Sequence, residues 1–587
     1  MFDKDLLIKP RSVNHFKGEK IPHLYRKGEQ AYLAEFSEFT DSEFEKAFWL
    51  NDLHLCSGLV FNNCTFNGTV IFHNITAKGY QTFLNKGSQN LVFKNCTFKE
   101  PVRFTGEAGK FERDIIFEDC VFEQGLDVQH LQITAGSFIL RNCTIHQLFD
   151  LYNLAITQEL KLSGNTVNAP TRFKNLQCDC LLLVGGNIFE KKSHIRTLNS
   201  RLGITFNGGT YKEEFKLLNY SSPKGSIKMM GPKFEQSVYI RYELPKEAPV
   251  ADAGSFYFED CQFANGLYVN ETNEKNAKQV MTDRIEFEIS ASLKGDLYFG
   301  NLYVNTLRLR GYNSAANLMF EELRIENIFI SRFINAAGLI FKSIRSSAPA
   351  SLPGIDQPRG SVEISNSNLG KAQFFNVDLL RYKTIYLDNN MLSDISFSMV
   401  QWFTEAQLSD TPANAPAPVL MPRGKRWKKM GVLSYYEEGR ANYHLQCRQD
   451  LYRQLKIAAQ RQGDIPQSLE FQRHEMNFYR QSLKLKSPNS YKERVTLWGE
   501  HAILWLNQTN DFGQNWLKAL ALLLLFSFIV YMPIGLLTSP KLNYQHWADS
   551  LSDVGLNIKA VFWDNLKTWI VTLNPAHRID DLATNVK

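Results

Sequence analysis

From residue 59 onward the chain repeats one short pattern of apolar and polar positions: "LVFNNCTF" (59–66), "LVFKNCTF" (91–98), "IIFEDCVF" (115–122), "FILRNCTI" (138–145) and "FYFEDCQF" (256–263). Leu59 and Phe61 share one face of a strand by its two-residue period, whereas Cys64 and Phe66 fall out of phase with them. A bend between the two pairs lets both point inward. The residue that would make the bend, just ahead of the cysteine, is of a type that tolerates a left-handed backbone.

The pattern continues after the cysteine disappears, through "LKLSGNTV", "LLVGGNIF", "ITFNGGTY" and "IKMMGPKF". Its sixth position then falls at Cys64, Cys96, Cys120, Cys143, Asn165, Asn187, Gly209, Pro232, Cys261, Ser290, Tyr312, Phe333, Ser367 and Asn390, at intervals of 21 to 34 residues. Twelve of the fourteen preceding residues are Asn, Asp or Gly. Such a period signals stacked repeats, with the longer intervals as loops thrown out near 79–89, 241–252, 270–283 and 345–360. A second apolar pair often ends in Asn, as in "FHNI", "LYNL", "FKNL" and "FFNV"; stacking would align these amides for hydrogen bonds along the coils. Cysteine reads here as a small apolar residue packed behind a corner.

After "FSMVQWF" (397–403) the β pattern stops. "DTPANAPAPVLMPRG" (410–424) is an extended, proline-rich linker. Two helices follow, over about 434–461 and 466–486, joined at "QGDIP" with Gly463 ending the first and Pro466 suited to the first turn of the second. Tyr452, Leu455 and Ala459 mark one apolar stripe, and Leu469, Met476 and Tyr479 the facing one. "ALALLLLFSFIVYMPIGLL" (519–537) carries no charge over nineteen residues, close to the roughly 20 needed to cross a bilayer. Beyond it, Leu551, Val554, Ile558, Val561, Phe562, Leu566, Trp569, Ile570 and Leu573 form a stripe broken by Lys559, Asp564 and Lys567. That pattern suits an amphipathic helix in the membrane interface, with a re-entrant segment as the alternative.

The fold class expected is therefore mainly β: a single-stranded β-solenoid (β-helix) of about fourteen coils, followed by an α-helical hairpin and a transmembrane helix. The expected divisions are an N-terminal cap (1–50), the solenoid (51–405), a basic linker (406–430), the hairpin (431–500), a transmembrane segment (501–540) and an amphipathic tail (541–587).

Charge sharpens the membrane reading. Residues 1–420 hold 44 Lys/Arg against 46 Asp/Glu, whereas 421–500 hold 16 against 8. The basic excess lies just before the most apolar segment, which favours a lipid surface over nucleic acid. Arg423, Lys425, Arg426, Lys428 and Lys429, interleaved with Trp427, are candidate headgroup contacts, and Trp569 is a candidate interfacial anchor. The first twenty residues lack the apolar run of a secretory signal, so the N-terminal domain is expected on the cytoplasmic side of an inner membrane. Nine cysteines, mostly at one repeat position, suit reduced buried thiols.

Catalytic and metal chemistry find little footing. Asp119 and Asp260 sit at corners and Asp378 and Asp388 in separate elements, spaced as turn formers rather than as glycosidase carboxylates. "CDC" (178–180) would put two thiols on one strand face, a metal half-site with no neighbouring His or Cys to complete it. His474, in "RHEM", falls on a solvated helix face. No nucleophile elbow, Walker or Rossmann glycine pattern occurs, and no cofactor is called for.

"YRQLKIAAQRQGD" (452–464), "EMNFYR" (475–480), "NQTNDFGQNW" (507–516) and "LNPAHR" (573–578) together resemble the C-terminal module of bacterial membrane-anchored pentapeptide-repeat or β-helix proteins, some of which carry ion-channel-like segments. The resemblance covers about 430–580, and in such relatives a further hydrophobic span follows the "LNPAHR" position. It implies membrane association and transfers no functional residue. Taken together, the expected function is a non-enzymatic, membrane-anchored solenoid that holds a protein partner. The alternatives are a homo-oligomeric ion conductor gated by the solenoids, and a carbohydrate-active β-helix enzyme.

Overall fold

From Leu59, and again from Val70, the chain takes the same shape in a computed structural model: a four-residue strand, one left-handed residue, one inward residue and a two-residue strand. Two such bent arms make one coil. Every strand pairs in parallel with its counterpart one coil on, as Leu59–Asn62 pairs with Leu91–Lys94 and Val70–His73 with Val102–Thr105. The result is a β-solenoid of about 13 turns followed by helices. The structure describes residues 14–17, 20–21, 24–25, 31–33, 37–51, 53–55, 58–77, 90–106, 109–222, 224–242, 253–270, 280–289, 293–346, 359–412, 432–486, 488, 490–509, 516–538, 563, 566 and 569. The expected loops lie largely outside these residues, and 280–283 of the expected loop 270–283 belong to the strand Val280–Ile289. The chain divides into two compact units, 1–424 and 425–587.

Thirteen of the fourteen expected corners have positive φ, from Asn63 (φ 56) to Asn389 (φ 51), and they include Arg332 (φ 51). The exception is Ile289, which is buried at the end of the strand Val280–Ile289. Pairing aligns Ile289 with Gly311 and Gly311 with Phe333, so the inward position here is Ile289 and Gly311, one residue before the expected Ser290 and Tyr312. Tyr312 is 44% exposed as a consequence. The slip follows from packing: it keeps the apolar Ile289 inside, where a one-residue shift would turn it out. Gly311 (φ 95) has no room for a side chain, since a Cβ there would lie 1.8 Å from the Ile289 carbonyl oxygen.

The second-arm asparagines are corners in their own right. Asn74, Asn153, Asn175, Asn219, Asn301 and Asn376 all have φ between 51 and 55. Amide hydrogen bonds along the stack occur chiefly at the first corner, where Asn95 Nδ2 donates to Asn63 Oδ1 (3.1 Å) and Asn142 Nδ2 to Asp119 Oδ1 (3.2 Å). The interior is a set of aromatic columns. Phe61, Phe93 and Phe117 stack at 4.8 Å, and Phe44, Phe66, Phe98 and Phe122 at 4.5 to 4.9 Å. These spacings equal that between paired strands, so each ring buries its face against its copy in the next coil.

Coils begin earlier than expected. Asn14–Lys17 pairs with Ser37–Thr40, and Glu43–Phe44 with Thr65–Phe66, so strands occupy the region read as a cap. The signal was present in "FTDSEF" (39–44), where Asp41 (φ 51) is the corner and Ser42 stands at the cysteine position. At the other end, Glu405–Gln407 forms a 3₁₀ turn and Leu408 bridges to Ile385. Gln407 Nε2 donates to the carbonyls of Leu379, Leu380 and Tyr382. This covers part of the last coil's edge.

The second unit contains α1 (Val432–Gln462), α2 (Ile465–Lys484), α3 (Tyr491–Thr509) and α4 (Trp516–Thr538). The hairpin junction is where it was expected, with Gly463 at φ 77 and Pro466 in the first turn of α2; the structure adds Asp464 as the cap of α2, accepting from Gln467 N–H. The buried stripe of α2 is Ser468, Phe471, Glu475, Phe478 and Ser482, one position away from the expected Leu469, Met476 and Tyr479. Glu475 enters the core because α1 neutralises it, Arg453 Nε lying 3.0 Å and Lys456 Nζ 2.6 Å from its carboxylate. Tyr479 reaches α3 instead, its hydroxyl 3.3 Å from Glu500. His474 stacks on Tyr452 with centroids 4.8 Å apart rather than standing in solvent.

Helix α3 was not expected and claims residues 501–509 from the segment read as transmembrane; Ser490 opens it, its Oγ accepting from Glu493 N–H. Helix α4 contains the whole charge-free segment 519–537. Among the described residues no helix is long and apolar enough to cross a membrane.

Candidate binding face

Across coils 127–241 the third strand of each coil, its corner and its fourth strand form one continuous outward face. In the middle of it no insertion interrupts the chain, which runs as the long bent strands Phe149–Ser163, Thr171–Val184 and Ser193–Asn207. Register fixes what stands beside what. One outward row reads Asp127, Asp150, Arg172, His194, Lys216, Tyr239, and the next reads Gln129, Tyr152, Lys174, Arg196, Leu218, Arg241. Beyond the corners lies a row of small and amide side chains, Gln132, Ala155, Gln177, Asn199 and Ser221.

The corner residues between these rows are His130, Asn153, Asn175, Thr197 and Asn219, with φ from 54 to 58. Thr197 is the outlier, because a β-branched residue is strained in the left-handed region. Two shallow grooves run between the side chains of these rows. One groove of about 360 Å³ is lined by His130, Asn153, Asn175, Gln177, Thr197 and Asn199. A second, of about 460 Å³, continues past Gln177 and Asn199 to Asp179, Arg201 and Ser221. Asp179 and Arg201 close its rim as a bidentate pair, with Nε–Oδ1 3.0 Å and Nη2–Oδ2 2.7 Å.

The electrostatics of the face are uneven. Asp127 accepts two hydrogen bonds from Gln129 Nε2, at 3.0 and 3.1 Å. Its row neighbour Asp150 has a buried Oδ1 without a hydrogen-bond partner among the described residues, and burial holds its carboxyl above the usual range. Toward the following coils the sign turns positive: Arg172 and Lys174 form no ion pair among the described residues. Burial, then the neighbouring Lys216, push the His194 imidazole down, so this position is neutral near pH 7. Lys216 is held at 2.8 Å by Glu214. The ring faces are taken: Lys174 lies over Tyr152 (5.3 Å), Lys216 and Arg241 over Tyr239 (5.6 and 4.7 Å), and Tyr239 stacks on Tyr268 (5.3 Å).

The residues singled out in the sequence lie elsewhere. Arg423, Lys425, Arg426, Trp427, Lys428 and Lys429 fall outside the described residues. Trp569 packs on α4: its indole N–H donates to Ser527 Oγ (2.9 Å) and its ring meets Phe528 edge-on at 5.5 Å. Asp119 (φ 55) and Asp260 (φ 53) are left-handed corners, Asp378 pairs with Arg381 at 3.0 Å, and Asp388 accepts from Tyr386 Oη at 3.1 Å. The strand bulges at Cys178–Cys180, which buries Cys178 and leaves Cys180 half-buried instead of placing both thiols alike. None of the eight described cysteines is disulfide-bonded, and no cluster among the described residues could hold a metal ion. The basic and amide rows escaped sequence analysis because their members are about 22 residues apart and look like ordinary surface positions. The period itself was the signal, had it been applied to outward positions.

No known protein family matches the chain, and no curated protein and no solved structure is similar to it.

Proposed function

We propose that this protein is a membrane-attached scaffold whose solenoid holds a protein partner on the face across coils 127–241. The observation that carries the reading is the continuity of that face: three successive long strands present aligned cationic and amide rows beside two adjoining grooves. Loops carry most binding sites in proteins, but here the regular coils supply a rigid surface. Attachment rests on the second unit. Helix α3 exposes Val495, Trp498 and Trp505, and α4 exposes Leu523, Ile529 and Val530, apolar area that lipid would cover. In this reading 519–537 crosses the bilayer.

Photocross-linking residues placed at Lys174 and Asn199, in native membranes, test the scaffold. Adducts to the same protein from both positions, and none from Lys94 on another face, are expected; equal labelling everywhere, or none, would refute it. A second reading, the oligomeric ion conductor, is favoured by the hydrogen bond from Trp569 to Ser527, which sets Trp569 against α4. Conductance by the purified chain in planar bilayers would support it.

A further inference from the structure

The same face narrows the chemistry of its partner. We infer that the cationic ladder of Arg172, Lys174, Arg196 and Lys216 takes an extended acidic peptide segment, laid along the solenoid across successive coils. This rests on the scaffold reading and specifies its ligand.

Three observations converge. First, the cations are regular: Arg172 and Lys174 in one coil, Arg196 in the next and Lys216 in the third, with Arg241 in the fourth. At about 4.8 Å per coil, these four coils span roughly 14 Å, the length of about four extended residues. Second, a row of amide and hydroxyl groups, Gln177, Asn199 and Ser221, runs parallel to the ladder across the corners. Amides of this kind both donate and accept, which suits the N–H and C=O groups of a peptide backbone lying in the groove. Third, the aromatic faces of Tyr152 and Tyr239 are already covered by Lys174, Lys216, Arg241 and Tyr268. Single-stranded nucleic acids are held largely by bases stacked on open aromatic rings, and sugar rings use the same platforms. With those platforms occupied, recognition falls to charge and hydrogen bonding alone, which carboxylates on a peptide satisfy. Asp127 and Asp150 at one end of the row repel the same segment and so limit it to the cationic coils.

The test is fluorescence anisotropy with the full-length protein in mild detergent and a labelled decapeptide of alternating Glu and Ser. Saturable binding is expected, weakening as salt rises, lost when Gln replaces Glu in the probe, and weakened about tenfold in K174E/R196E. Both substituted side chains are exposed, so the variant should keep its circular dichroism and melting temperature. The charge reversal K228E, on another face, should change nothing. Tighter binding of a single-stranded oligonucleotide or a linear polyuronate than of the peptide would overturn the inference, as would unchanged affinity in K174E/R196E. If Lys174 and Asn199 still cross-link one partner in membranes while the acidic probe fails to bind, the scaffold stands and the acidic-peptide assignment falls.

Discussion

At the scale of single residues, the repeated cysteine has a role beyond size. The thiols of Cys64, Cys96, Cys120, Cys143 and Cys261 each lie within hydrogen-bond distance of two carbonyls, one in the preceding coil and one two residues back in their own, as Cys143 Sγ lies 3.5 Å from Phe117 O and 3.3 Å from Arg141 O. At four positions without cysteine an equivalent bond is made, from Asn165 Nδ2 to Leu140 O, Asn187 Nδ2 to Leu162 O, Ser367 Oγ to Ile330 O and Asn390 Nδ2 to Ile364 O. In these nine coils the position holds a compact hydrogen-bond donor, whereas Gly209, Pro232 and Phe333 supply none. Burial pushes the Cys261 thiol up to about 12, so this thiol stays a donor throughout the physiological range. Cys143→Ser should cost less stability than Cys143→Ala, which removes the thiol's hydrogen bond, worth about 1 kcal/mol; urea unfolding gives the order, and the reverse order would reduce the cysteine to a packing residue. Thr197→Asn, matching its row neighbours Asn175 and Asn219, should stabilise by about 1 kcal/mol by relieving the left-handed strain. Asp150 supplies a pH test. Its carboxyl is raised in the folded state, so the folded chain binds the extra proton, and this contribution is lost as pH rises through the folded value. Asp150→Asn should therefore raise the melting temperature at pH 7 and leave it nearly unchanged at pH 3.

At the scale of elements, the sequence was most legible where one residue type decides a backbone state. Twelve of the fourteen corners, the Gly463 stop and Pro466 in the first turn of α2 lie where the pattern put them, because φ > 0 and a fixed proline φ are local requirements. It was least legible where a partner element decides. The stripe of α2 moved by one position because Arg453 and Lys456 of α1 make Glu475 a core residue, which no pattern within α2 reveals. Changing both cations to methionine should cost about 3 kcal/mol or more, whereas adding Glu475→Leu to that variant should restore most of it. Denaturant titration followed by helical circular dichroism measures both.

For the whole molecule, the two units pose separate questions. The solenoid is built of nearest-neighbour contacts, so its face is an additive property of successive coils. In the proposed function the helical unit provides the membrane attachment. If 519–537 crosses the bilayer as proposed, the Trp569 to Ser527 bond brings residue 569 back beside α4. Reporters fused at residues 420 and 587 are then expected on the same side of the membrane. Opposite sides would mean that the tail lies in the interface after a single crossing.

The sequence by itself determined the solenoid, its period, its first corners and the helical hairpin, because each follows from side-chain alternation or from a residue's own backbone preference. Only the tertiary structure decided the one-residue slip at Ile289 and Gly311, the entry of Glu475 into the helical core, and the cationic face beside its grooves. Those depend on which residues meet across coils or between helices. Contact between positions some 22 residues apart is a property of the stack and leaves no mark in any short stretch of the chain.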